Sequence, residues 1–68
     1  MALIPVSSSN LAAVGYNGRT LIIAFRSGGL YAYFGVSFSE YTGLMQASSH
    51  GKYFHQNIKG RYSYRRLQ

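Results

Sequence analysis

The sequence predicts an α+β fold: a three-stranded antiparallel β-meander packed by one α-helix, followed by a short helical segment and a basic tail. Three observations carry this. Residues 11–16, 20–25 and 30–34 are rich in β-branched, aromatic and other apolar side chains. Asn17-Gly18 and Ser27-Gly28-Gly29 separate them with tight-turn residues. Beyond Ser37 the apolar residues recur at helical rather than strand spacing.

Residues 1–8 run from apolar to polar and lead into the first strand, which is extended from Leu11 to Tyr16. Asn17-Gly18 tolerates the positive φ angles of a type I′ hairpin turn. Thr20-Leu-Ile-Ile-Ala-Phe25 is the clearest strand, free of Gly and Pro. After the second turn, Leu30-Tyr-Ala-Tyr-Phe34 returns as the third.

The length of that second turn decides which side chains share a face. With a two-residue loop, Tyr31 and Tyr33 stand with Ile22, Ala24 and Arg26, opposite an apolar face of Leu21, Ile23, Phe25, Ala32 and Phe34. A three-residue loop with a glycine bulge reverses this and sends both tyrosines to the core. Ser-Gly and Gly-Gly suit the shorter loop, which is the expectation.

Ser37-Phe-Ser-Glu40 fits a capping box. Phe38, Tyr41, Leu44 and Met45 then make a stripe able to lie on the sheet, with Gly43 costing about 1 kcal/mol relative to Ala mid-helix. The helix is expected to end near Ser48-Ser49-His50-Gly51, with glycine in a left-handed cap. Lys52 to Ile58 supplies a further helical turn, Phe54 and Ile58 standing at i, i+4. Gly60 ends it.

One small domain of 68 residues without cysteine has neither disulfide nor thiolate metal site, and its stability rests on apolar packing. Seven basic residues face a single acid, Glu40, giving a formal charge of +6. Such a chain attracts polyanions. No stretch reaches the roughly 20 apolar residues of a membrane span, and residues 1–5 lack the marks of a signal peptide, so a cytoplasmic location away from membranes is expected.

The ordered set Pro5-Val-Ser-Ser-Ser-Asn-Leu-Ala-Ala-Val-Gly-Tyr16, Leu21-x-Ile23-x-Phe25-x-x-Gly28, Tyr31-Ala-Tyr33, Ser48-Ser-His-Gly-Lys-Tyr-Phe54 and Ile58-Lys-Gly-Arg-Tyr62 resembles a KTSC domain. The resemblance spans about residues 5 to 64. That family is named for its place at the C-terminus of some lysyl-tRNA synthetases and also occurs as short free-standing bacterial and phage proteins. The resemblance implies RNA binding by context and carries over no catalytic residues. It maps the family's central tyrosines onto Tyr31 and Tyr33. This chain departs in its short first hairpin, in Ser37 where proline is common, and in His55 where asparagine is common.

The tail Lys59-Gly60-Arg61-Tyr62-Ser63-Tyr64-Arg65-Arg66 places four of the seven basic residues beside two tyrosines. Cations hold phosphates and tyrosines stack on bases, which is what a single-stranded nucleic-acid site requires. In this reading Arg61, Arg65 and Arg66 hold phosphates while Tyr62 or Tyr64 stacks a base. Arg26, Lys52 and Lys59 extend the positive surface, and Tyr31 and Tyr33 offer further stacking if they face solvent. The competing reading packs the tyrosines into the core and leaves the arginines to solubilise the terminus.

Other chemistries lack their parts. His50 and His55, without cysteine and with one acid, fall short of a metal set, so local capping or a surface hydrogen bond is the expectation for them. Ser7-Ser8-Ser9 lacks an oriented base, and no phosphate loop precedes a helix. No enzyme activity and no cofactor are expected. The reading is a non-catalytic module for RNA or single-stranded nucleic acid. Its rivals are a module that docks on a bacterial protein, since Tyr and Arg also mark protein hot spots, and a homodimer formed by edge pairing of residues 21–25.

Overall fold

The computed structural model describes residues 2–68. The sheet has five antiparallel strands in sequential order: β1 (Ile4–Pro5), β2 (Leu11–Tyr16), β3 (Thr20–Phe25), β4 (Leu30–Phe34) and β5 (Tyr64–Arg66). The three expected strands are its centre, and both chain ends add an edge. β1 contains Pro5, a residue that edge strands tolerate because one side of the ladder is open there. β5 is the basic tail, which closes the outer edge of β4 with bonds from Phe34 N to Ser63 O (2.9 Å) and Leu30 N to Gln68 O (3.1 Å). Because β3 is the central strand, its backbone groups are already paired on both sides. Edge-to-edge dimerisation through residues 21–25 is therefore corrected: the open edges belong to β1 and β5.

Both turns differ from expectation by one residue. In the first, Asn17 N donates to Thr20 O, leaving Gly18 and Arg19 at the centre. Gly18 alone has positive φ (95°), the pattern of a type II′ turn rather than I′. Asn17 Oδ1 accepts from Arg19 N and Thr20 N and holds the corner. In the second turn Gly28 N donates to Phe25 O and Phe25 N to Gly29 O, so the loop is Arg26-Ser27-Gly28, with Gly28 at φ 108°.

This three-residue loop sets the register of β4. Tyr31 stands opposite Ile23 and Tyr33 opposite Leu21, on the face shared with the buried residues. The two-residue expectation is overturned. Arg26 lies in the loop, and Phe34 is moved to the outer face, 43% exposed.

The core gathers Leu11, Val14, Leu21, Ile23, Tyr33, Val36, Leu44, Phe54 and Ile58. Ser37 caps α1 (Phe38–Gln46), accepting from Glu40 N. From the expected stripe, Leu44 is buried and Tyr41 and Met45 pack against the core, but Phe38 is 67% exposed. Tyr41 stacks on Tyr16 with centroids 4.4 Å apart. α1 ends at an extended Ala47, with His50 Nδ1 donating to Leu44 O at 2.8 Å. This is the local capping expected for a histidine.

Gly51 is not the left-handed cap. It is buried inside α2 (His50–Tyr53), whose N-cap is Ser49. A Cβ there would meet the Asn10 amide nitrogen at 2.7 Å, so a larger residue would push that exposed side chain aside. α2 continues directly into a π-helical segment (Phe54–Ile58), closed by Lys59 N donating to Phe54 O at 2.9 Å. Phe54 and Ile58 are both buried, as their spacing predicts. Among the described residues no helix is long and apolar enough to cross a membrane.

Candidate nucleic-acid interface

Residues directly opposite one another in an antiparallel pair share a face. The β4–β5 register therefore places Tyr64 beside Tyr33 and Arg66 beside Tyr31, all on the core side of the sheet. The three tyrosine rings form a triangle with centroids 5.8 Å (Tyr33–Tyr64), 6.0 Å (Tyr31–Tyr64) and 6.5 Å (Tyr31–Tyr33) apart. Their planes lie within 21–40° of one another. Phe25 and Phe54 buttress the triangle edge-on: Phe25 meets Tyr31 at 5.4 Å, and Phe54 meets Tyr33 at 5.4 Å.

A cleft of about 630 Å³ opens over these rings, between the β3–β4 turn, β5 and the end of the π-helical segment. Phe25, Tyr31, Tyr33 and Phe54 line it, with Tyr64, Lys59 and His55 from one side and Ser9, Asn10 and Ser27 from the other. Tyr64 is 63% exposed, Tyr31 half-buried and Tyr33 only 5% exposed. The Arg66 guanidinium lies over Tyr31, 5.5 Å from the ring centroid. Burial, and then the neighbouring Tyr31 and Tyr64, push the Tyr33 phenol up to about 12. It is therefore a neutral hydroxyl at any ordinary pH.

No carboxylate side chain reaches this cleft. Glu40 is occupied elsewhere, accepting from the hydroxyls of both Tyr53 and Tyr62. The positive field of the tail consequently meets no side-chain counter-charge at the cleft.

The structure divides the sequence-derived candidates. Tyr31, Tyr33, Lys59 and Tyr64 line the cleft, while Arg66 stands over the Tyr31 ring with its Nε donating to Gln68 O at 3.0 Å. Tyr62 does not line the cleft: it is half-buried, packs against the core and bonds Glu40 Oε1 at 3.0 Å. Arg26 is also committed, its Nε donating to Ser8 O and its Nη2 to Val6 O at 3.2 Å. Arg65 pairs opposite Ala32 and so projects from the other face of the sheet. Lys52 is exposed in α2, and Arg61 is exposed in the turn after Ile58. Sequence reasoning missed Phe25, Phe54, His55 and Asn10 as lining residues. The first two read as core, and nothing local marks the other two.

The KTSC domain family matches residues 7–62. The chain is similar to the crystal structure of a KTSC domain protein from Yersinia pestis, with a TM-score of 0.95 and 38% identity over 98% of this chain and 97% of that one. It is also 43% identical over 49 residues to the lysine–tRNA ligases of Nostoc sp. and Trichormus variabilis. That match covers 72% of this chain and 9% of each ligase, so the chain spans about a tenth of the length of these curated relatives. With most of its length matched by the family and its whole fold shared with a solved member, this chain belongs to the KTSC domain family.

Proposed function

We propose that this domain is a non-catalytic module that binds single-stranded nucleic acid, RNA in the first place. One observation carries the reading: Tyr31, Tyr64 and Lys59 line one cleft that no carboxylate side chain reaches, and the Arg66 guanidinium lies over the Tyr31 ring. Stacking rings beside cations are the two components of sequence-tolerant single-strand binding. Two relatives of this chain are named as ligases of lysine and tRNA, which is consistent with an RNA partner. Phosphates are held by Lys59 and Arg66, with Arg61 and Lys52 as outlying cations, while bases stack on Tyr64 and Tyr31.

The test is fluorescence anisotropy of labelled single-stranded RNA and DNA, titrated with the protein at low and physiological salt. Saturable binding that persists at physiological salt and weakens in Tyr64→Ala is the expected result. Binding confined to low salt, or unchanged in Tyr64→Ala, would reduce the charge to background. Capture of a folded protein partner should then be pursued.

A further inference from the structure

The cleft contains a polar group that stacking does not use. Tyr33 is 5% exposed and lines the cleft wall, yet no described protein group bonds its hydroxyl. Among the described residues, no side-chain oxygen or nitrogen is both fully buried and unpartnered. An unpaired hydroxyl on so buried a residue must therefore meet solvent, and the cleft is where Tyr33 reaches the surface. A polar group on an apolar floor that lacks a protein partner fixes the orientation of what binds there. Tyr33 stays protonated, since burial holds its phenol well above the ordinary range.

Resting on the nucleic-acid reading above, we infer that the cleft is a pocket for one nucleobase, stacked beside Tyr64 and Tyr31 and donated a hydrogen bond by the Tyr33 hydroxyl. A base is planar and has apolar faces, which suits walls of Tyr31, Tyr64 and Phe25. It also carries ring-nitrogen and carbonyl acceptors on its edge, where Tyr33 points. Its phosphate is left at the rim, where Lys59 stands. A sugar phosphate alone has no face to stack and an aliphatic side chain has no acceptor. The consequence is a preference at a single position of an otherwise sequence-tolerant strand.

The experiment is an amide chemical-shift titration of the full chain with each of the four nucleoside 5′-monophosphates, with ribose 5-phosphate and N-acetyltryptophanamide as controls. Shifts confined to cleft residues are expected with nucleotides and not with ribose 5-phosphate. Tyr33→Phe should weaken nucleotide binding about fivefold, the loss of one hydrogen bond. Tyr64→Ala, at an exposed position that cannot unfold the core, should weaken it as well. Equal shifts with ribose 5-phosphate would overturn the inference, as would unchanged affinity in both variants. Shifts with N-acetyltryptophanamide alone would assign the cleft to a protein side chain. RNA binding without nucleotide shifts in the cleft would remove the base pocket and leave the nucleic-acid module standing. Nucleotide shifts without RNA binding would support the pocket and remove the strand.

Discussion

The Tyr62 hydroxyl donates to Glu40 Oε1 at 3.0 Å across 22 residues of chain, joining the tail to the first helix. Tyr53 donates to the other oxygen, so the one acidic side chain of the protein accepts from two phenols. The spacing of Glu40 from Ser37 predicts a capping box. Ser37 does accept from Glu40 N, but the Glu40 carboxylate turns away toward the tyrosines. Hydrogen bonds to charged acceptors are worth about 1.5–3 kcal/mol. Glu40→Gln, which keeps the shape and removes the charge, should lower stability by about 1–2 kcal/mol in urea unfolding. A double-mutant cycle with Tyr62→Phe should show coupling of at least about 0.5 kcal/mol. Additive losses would mean that the carboxylate and phenol are independent.

Alkaline pH acts on the same class of side chain. Burial first, and then Tyr31 and Tyr64, raise the Tyr33 phenol to about 12 from an unfolded value of 10.0. The Tyr53 phenol is raised chiefly by its bond to Glu40, and that of Tyr62 chiefly by burial. A raised phenol means that the folded state keeps the proton longer than the unfolded one. The contribution is complete below pH 10.0 and falls as the unfolded chain ionises, until it is lost at about 12. Urea midpoints should therefore drop between about pH 10 and about pH 12, and drop less in Tyr33→Phe. A flat profile would mean that Tyr33 is not held neutral by the fold.

Gly43 reads as a propensity defect in the middle of α1, and the structure gives its reason. A Cβ at this position would lie 2.8 Å from Tyr53 Cζ and would displace the ring that bonds Glu40. Gly43→Ala should therefore destabilise the protein, although alanine is favoured in a helix by about 1 kcal/mol. In a Tyr53→Ala background the same change should become stabilising by roughly that propensity. Thermal melts of the four proteins decide it, and a stabilised single variant would reject the steric account.

These residues also show what the sequence made legible. Strands β2, β3 and β4 were readable because their apolar runs are bounded by glycine-bearing turns. The parity of β4 was not. Both faces of β3 offer apolar partners, Leu21 and Ile23 on one and Ile22 and Ala24 on the other, so only the loop length distinguishes them. Ser27-Gly28-Gly29 is compatible with either length, and the longer loop buries Tyr33. β5 was unreadable for another reason: its residues are all exposed, and it is a strand because β4 offers an unpaired edge. The tail composition offered Tyr62 and Tyr64 alike and could not tell that Tyr64 lines the cleft while Tyr62 packs against the core. It could not separate Arg66, which the register sets over Tyr31, from Arg65, which the same register turns to the opposite face.

That separation yields the most discriminating test of the functional reading. Arg26 is tied to the carbonyls of Ser8 and Val6, Arg65 lies on the far face, and Arg66 covers Tyr31 beside the cleft. If a strand is bound at the cleft, Arg66→Ala should weaken RNA binding and reduce the slope of log affinity against log salt by roughly 0.7, the value for one single-strand phosphate. Arg65→Ala should leave both nearly unchanged, although it removes the same formal charge from the next residue. Arg26→Ala should lower stability by about 1 kcal/mol through its lost carbonyl bonds while the slope stays the same. Anisotropy titrations of the three variants across a salt series measure all of this at once. Equal slope losses for Arg65 and Arg66 would mean that RNA senses only net charge, and the one-sided interface would fall.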